Sequence, residues 1–146
     1  MFISDRKFIF VVAVILLLGQ ILYSRFAWFQ GLFWSDMLMH FLGGVLVASI
    51  FLIFFQRKLE LPSWKENKPK VLSIPEGPVF LLFIVSFAGL IGLFWEFYEY
   101  LTVYYFFRLS GFPIFSLTLD DTLSDLFFDL FGGLVAGIIW LRSVKK

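Results

Sequence analysis

Cysteine is absent from this 146-residue chain, which excludes disulfides, thiolate metal ligands and thiol chemistry. Histidine occurs once and proline only five times. Charge is scarce as well: 16% of the residues are Asp, Glu, Lys or Arg, and the formal net charge is +1. No basic stripe with interleaved aromatics occurs, so there is no case for a nucleic-acid partner. What fills the chain instead is apolar: 60% hydrophobic residues, 22% aromatic, with 22 phenylalanines. A soluble domain of this length could not hide that much apolar surface, and its charges would be spread more evenly. Here they are bunched between long apolar runs. The class implied is an all-α, polytopic membrane protein: a bundle of four transmembrane helices forming one domain, residues 1–146.

Four segments are long and apolar enough to cross a bilayer, which takes about 20 helical residues. They cover about residues 8–28, 37–55, 78–100 and 122–141. Residues 57–77 are polar, carry Pro62, Pro69 and Pro75, and read as the one clear loop. Arg6 and Lys7 ahead of an apolar run resemble a signal peptide, but the run is long and no small-x-small cleavage site follows, so it reads as an uncleaved first span. Ten Lys and Arg residues lie at the two termini and in the 57–77 loop, against Arg25 and Arg108 on the other side. By the positive-inside rule both termini and that loop face the cytoplasm of a plasma (inner) membrane. Trp28, Trp34 and Trp140 fall near span ends, where indole rings favour the interface. The stretch 101–120, with Arg108, Gly111 and Pro113, reads as an outer lid, an interfacial segment or an extension of the third span rather than a fifth crossing.

That orientation makes the acids informative. Seven of the eleven lie at the outer ends of the second, third and fourth spans: Asp36, Glu96, Glu99, Asp120, Asp121, Asp125 and Asp129. His40 joins them. Asp36 and His40 are four apart and share a helix face; Glu96 and Glu99 are three apart; Asp121, Asp125 and Asp129 form a stripe down one face. Ionisable groups avoid lipid, so the three helices should turn these residues towards one another. A cluster so rich in carboxylates must bind cations, hold protons or open to water. Asp120 and Asp121 read as its wet rim.

Each residue also has a plainer use. Asp36 and Asp121 suit N-caps. His40 alone reads as a hydrogen-bonded core residue, and Glu96 with Glu99 as partners of Arg25 or Arg108. Gly43, Gly44, Gly89, Gly92, Gly132 and Gly133 imply close helix packing, and Gly133-x-x-x-Gly137 serves either packing within the monomer or a homo-oligomer. The coincidence of acids on one side is what these readings leave unexplained.

Asp36-x-x-x-His40-Phe41-x-Gly43, then Glu96-x-x-Glu99-Tyr100, then Asp121-Thr122-x-x-Asp125-x-x-x-Asp129-x-x-Gly132-Gly133 together resemble the YjdF-like family of small bacterial inner-membrane proteins. More distantly they are similar to the VanZ-like membrane proteins. The match spans the second to fourth helices. Met37 stands where that family often has a basic residue, and Tyr100 where it has Trp. The resemblance implies a polytopic helical membrane protein and no particular activity.

The ligand types, one imidazole and several carboxylates, suit a divalent metal such as Zn²⁺, Mn²⁺ or Mg²⁺. The leading expectation is an envelope enzyme or envelope-modifying factor acting on a lipid-linked or headgroup substrate among the membrane lipids. His40, Glu96, Asp125 and Asp129 would ligate the metal, Glu99 or Asp36 would act as general base, and Arg25 or Arg108 would meet an anionic group. Two other classes stand beside it: a proton- or cation-coupled transporter, and a non-catalytic scaffold.

Overall fold

The computed structural model describes residues 5–25, 32–59, 77–102, 104–105 and 118–144. Among them are four α-helices and no strand: α1 Arg6–Arg25, α2 Phe33–Leu59, α3 Pro78–Thr102 and α4 Leu119–Val144. Three contain apolar stretches long enough to cross a membrane, Trp34–Phe54, Pro78–Thr102 and Leu119–Ser143. The 20 residues of α1 rise about 30 Å, the thickness of the hydrocarbon layer. The protein is an all-α membrane bundle.

The helix ends extend beyond the hydropathy limits. The α2 helix starts at Phe33, four residues before the apolar run, so Asp36 lies inside its first turn and is not its N-cap. It also continues to Leu59, which puts Arg57 and Lys58 on the helix; the rest of the expected loop, to residue 76, lies outside the described residues. Thr118 caps α4: its hydroxyl accepts the Asp121 N–H at 3.2 Å. Asp121 is therefore the third residue of that helix, where a carboxylate suits the positive end of the dipole. Asp5 does the same for α1, accepting the Lys7 N–H at 2.9 Å.

The α4 helix packs against α2 and α3, and α2 packs against α3. Glycines allow the closest approaches. A Cβ on Gly44 would collide with the main-chain oxygen of Asp129, and one on Gly132 with that of Phe41, so α2 and α4 touch backbone to backbone. A Cβ on Gly133 would stand 2.7 Å from that of Ala88, and one on Gly137 2.5 Å from Leu81 Cδ1. Both glycines of the small-residue stripe thus serve packing against α3 within the chain.

Along α3 the buried residues recur every fourth position: Phe80, Ile84, Ala88, Gly92 and Glu96. Its first half joins an apolar core with Val45, Ala48, Leu52, Ala136 and Trp140. Trp140 departs from the expected interfacial place: its ring packs on Phe80 with centroids 4.9 Å apart, and only 9% of it is exposed. The far end of the stripe is polar.

Candidate functional site

Three helices deliver the polar end. The four-residue spacings turn Asp36 and His40 to one face of α2, and Asp125 and Asp129 to one face of α4. His40, Glu96, Asp125 and Asp129 are all buried. Asp36 and Glu99 are partly exposed at the margin.

His40 organises the cluster, and its two nitrogens face different partners. Nδ1 lies 3.1 Å from Asp129 Oδ2. A carboxylate accepts, so Nδ1 carries the hydrogen and donates. Nε2 points the other way, at 3.9 Å from Asp36 Oδ1, 3.9 Å from Glu96 Oε1 and 3.9 Å from Asp125 Oδ2. None of these is a hydrogen bond, which needs about 3.2 Å or less. Three carboxylate oxygens from three helices thus surround one ring nitrogen at equal, non-bonding distance. Glu96 Oε1 is fully enclosed and has no hydrogen-bond partner among the described residues, and Thr122 lies beside the same carboxylate.

Donor atoms of Asp36, His40 and Asp125 lie within 4.8 Å of one another, as do those of His40, Glu96 and Glu99. Ligands held at about 2.1 Å from one ion stand at most about 4.2 Å apart. The 3.9 Å separations from Nε2 fit that limit, and the carboxylates divide into two sets that share His40, Asp36 with Asp125 and Glu96 with Glu99. Asp129 belongs to neither donor set. It holds the ring from behind, the outer-shell arrangement that fixes the tautomer of a ligating histidine. A Cβ on Gly92 would collide with Asp129 Oδ2, and one on Gly43 would sit 3.6 Å from Oδ1. The two glycines leave the slot that this carboxylate fills.

The other expected residues stand apart. Asp120 and Asp121 are exposed at the start of α4, and Arg25 is exposed at the end of α1. Arg108 lies outside the described residues. Thr122 escaped sequence reasoning, because one hydroxyl among seven acids carries no spacing signal of its own. Beside the cluster is a cavity of about 400 Å³ bounded by α1, α2 and α3, with a few lining atoms from α4. Gln20 and Trp95 line it, and neither stood out as a site residue in the sequence.

A family model described as "Predicted membrane protein (DUF2238)" matches residues 6–146. The chain belongs to that family. No curated protein and no solved structure matches it. Membership agrees with the membrane reading of the hydropathy and carries no activity, so function has to be argued from the geometry around His40.

Proposed function

We propose that this membrane protein binds a divalent cation at His40 Nε2, with Asp36 and Asp125 as the carboxylate ligands and Glu96 across the nitrogen from them. The observation that carries the reading is the equal 3.9 Å spacing of three carboxylate oxygens around that nitrogen. With Nδ1–H given to Asp129, Nε2 faces three carboxyl oxygens at once, an arrangement that a cation lying between them would favour. A proton on Nε2 would draw one oxygen to about 2.8 Å. An ion held by His40, Asp36 and Asp125, whose donor atoms lie within 4.8 Å of one another, would supply the positive charge there instead. One imidazole with carboxylates suits Zn²⁺, Mn²⁺ or Mg²⁺.

A cation there would supply Lewis acidity and lower the pKa of a bound water. Glu99, within reach of His40 and Glu96, is the side chain to take that water's proton. Such a centre suits hydrolysis or transfer at a lipid-linked or headgroup substrate, in an envelope enzyme or envelope-modifying factor. The ten-to-two Lys and Arg asymmetry supports a plasma-membrane orientation with both termini cytoplasmic and the cluster in the outer half. The motif likeness to the YjdF-like proteins supports treating the three acidic elements as one site. A proton relay is less well supported, because among the described residues the buried polar side chains outside the cluster are Ser35 and Ser49, neither of which titrates.

Melting the full chain in micelles tests the reading. Zn²⁺, Mn²⁺ or Mg²⁺ should raise the melting temperature, a chelator should reverse the rise, and saturation a hundredfold above Kd corresponds to about 2.7 kcal/mol. His40→Ala and the isosteric Asp125→Asn should lose the response, whereas Asp120→Asn should keep it. A wild-type melt indifferent to all three ions, with no bound metal on elemental analysis, would overturn it.

A further inference from the structure

The cavity beside the cluster is built for an amphiphile. Leu16, Leu17, Leu46, Val47 and Ile91 form its apolar wall. Its polar end is Asp36, His40, Glu99 and Asp129, with Trp95 beside them. Its volume, about 400 Å³, falls in the range of about 300–1,000 Å³ usual for small-molecule sites. Among the described residues α1 packs against α2 alone, through Met39, whose Sδ would lie 3.0 Å from a Cβ on Gly19. The α1 and α3 helices make no contact among the described residues, which leaves a cleft between two helices of a membrane bundle.

The charge of the polar end selects the headgroup. No Lys or Arg lines the cavity among the described residues, so without a bound cation His40, already held by Asp129, is the one lining side chain able to pair with a phosphate or carboxylate. Five carboxyl groups (Asp36, Glu96, Glu99, Asp125 and Asp129) outnumber what one divalent ion needs, so acceptor oxygens remain for a cationic headgroup even when that ion is bound. Trp95 and Glu99 are four residues apart and both line the cavity, placing an indole ring and a carboxylate on one face of α3. That pairing suits an ammonium group, which is attracted to both aromatic faces and carboxylates.

We infer that the cavity takes an ammonium-headed amphiphile entering sideways from the bilayer, its head at Trp95, Glu99 and Asp36 and its chain along the α1–α3 cleft. The inference rests on the lipid-substrate reading above and names the headgroup class; it does not need the metal.

The test is binding of dodecyltrimethylammonium, dodecylamine, dodecyl phosphate and chain-free tetramethylammonium to the full chain in maltoside micelles. Native mass spectrometry reads the binding, once with chelator and once with Mn²⁺. Both ammonium amphiphiles should bind at least about tenfold more tightly than the phosphate, a difference of about 1.4 kcal/mol, and tetramethylammonium should bind weakly for want of a chain. Glu99→Gln should lower ammonium binding about tenfold. Ile91→Trp, which fills the cleft without touching a charge, should lower it as well. Equal or tighter binding of dodecyl phosphate would overturn the inference, as would ammonium binding unchanged in both variants. Ammonium selectivity that persists in chelator supports it even if no cation shifts the melt, so the two readings fail separately.

Discussion

One stripe of α3 serves two unlike ends of the bundle. At its start Phe80 and Ile84 meet Trp140 and Leu52 in an apolar core, and at its end Gly92 and Glu96 meet Asp129 and His40. In a bilayer these ends are not equivalent. Lipid is as apolar as Leu52 or Ile84, so the core gains packing contacts from association but little hydrophobic driving force. The polar end has no comparable alternative in lipid, where a carboxylate or an unpaired ring N–H is costly. Shape holds the apolar half, whereas the polar half is held by partners that must be correctly oriented.

The largest expected effect comes from the point where the halves join. Gly44→Leu would drive a side chain into the Asp129 main chain, separating α2 from α4 and breaking both halves together. The variant should show no cooperative melt in micelles and should elute as an expanded or aggregated species. A wild-type melt would mean that the backbone contact is dispensable.

Asp129→Ala should come next. It leaves the buried His40 Nδ1–H without its acceptor, at a cost of about 1–3 kcal/mol, whereas Asp129→Asn keeps an oxygen in place and should recover most of the loss. Equilibrium unfolding of both variants checks this. Equal losses would mean that carboxylate charge, not ring orientation, is what matters.

The smallest effect is expected in the apolar half. Trp140 Nε1 is buried without a hydrogen-bond partner, so Trp140→Phe gives up no hydrogen bond and keeps a ring against Phe80. The small void left by the smaller ring should cost about 1 kcal/mol, measured in the same unfolding experiment. A loss as large as that of Asp129→Ala would erase the distinction between the ends.

Much of this was legible from residue order. Apolar runs marked the helices, because a membrane demands length and hydrophobicity that few other structures show. Four-residue spacings grouped Asp36 with His40 and Asp125 with Asp129, because helical geometry alone decides which residues share a face. What stayed hidden depends on how the helices rotate against one another. Nothing in the spacing separates Asp129, behind the ring at Nδ1, from Asp125, in front of it at Nε2. The contact of Gly44 with the Asp129 carbonyl is likewise a relation between distant segments. Trp140 was misplaced because a Trp near a span end has two good environments, and Phe80 on another helix decides between them. The Thr118 cap was readable in principle from Thr-x-x-Asp. It was missed because the apolar run suggested a start three residues later.

The partners of His40 also arrive at different times during synthesis. The α2 and α3 helices bring His40 and Glu96 into the membrane before α4 has been made. Until α4 follows, the ring has neither the Asp129 acceptor nor the Asp125 oxygen. Ionisable groups without partners inside a bilayer draw in water or pull their helix towards the interface. The half-made protein is therefore a different object from the finished one: wetter, looser and recognisable as incomplete to whatever inspects new membrane proteins. Arrival of α4 removes that signature in one step, because Asp125 and Asp129 both lie within its first three turns.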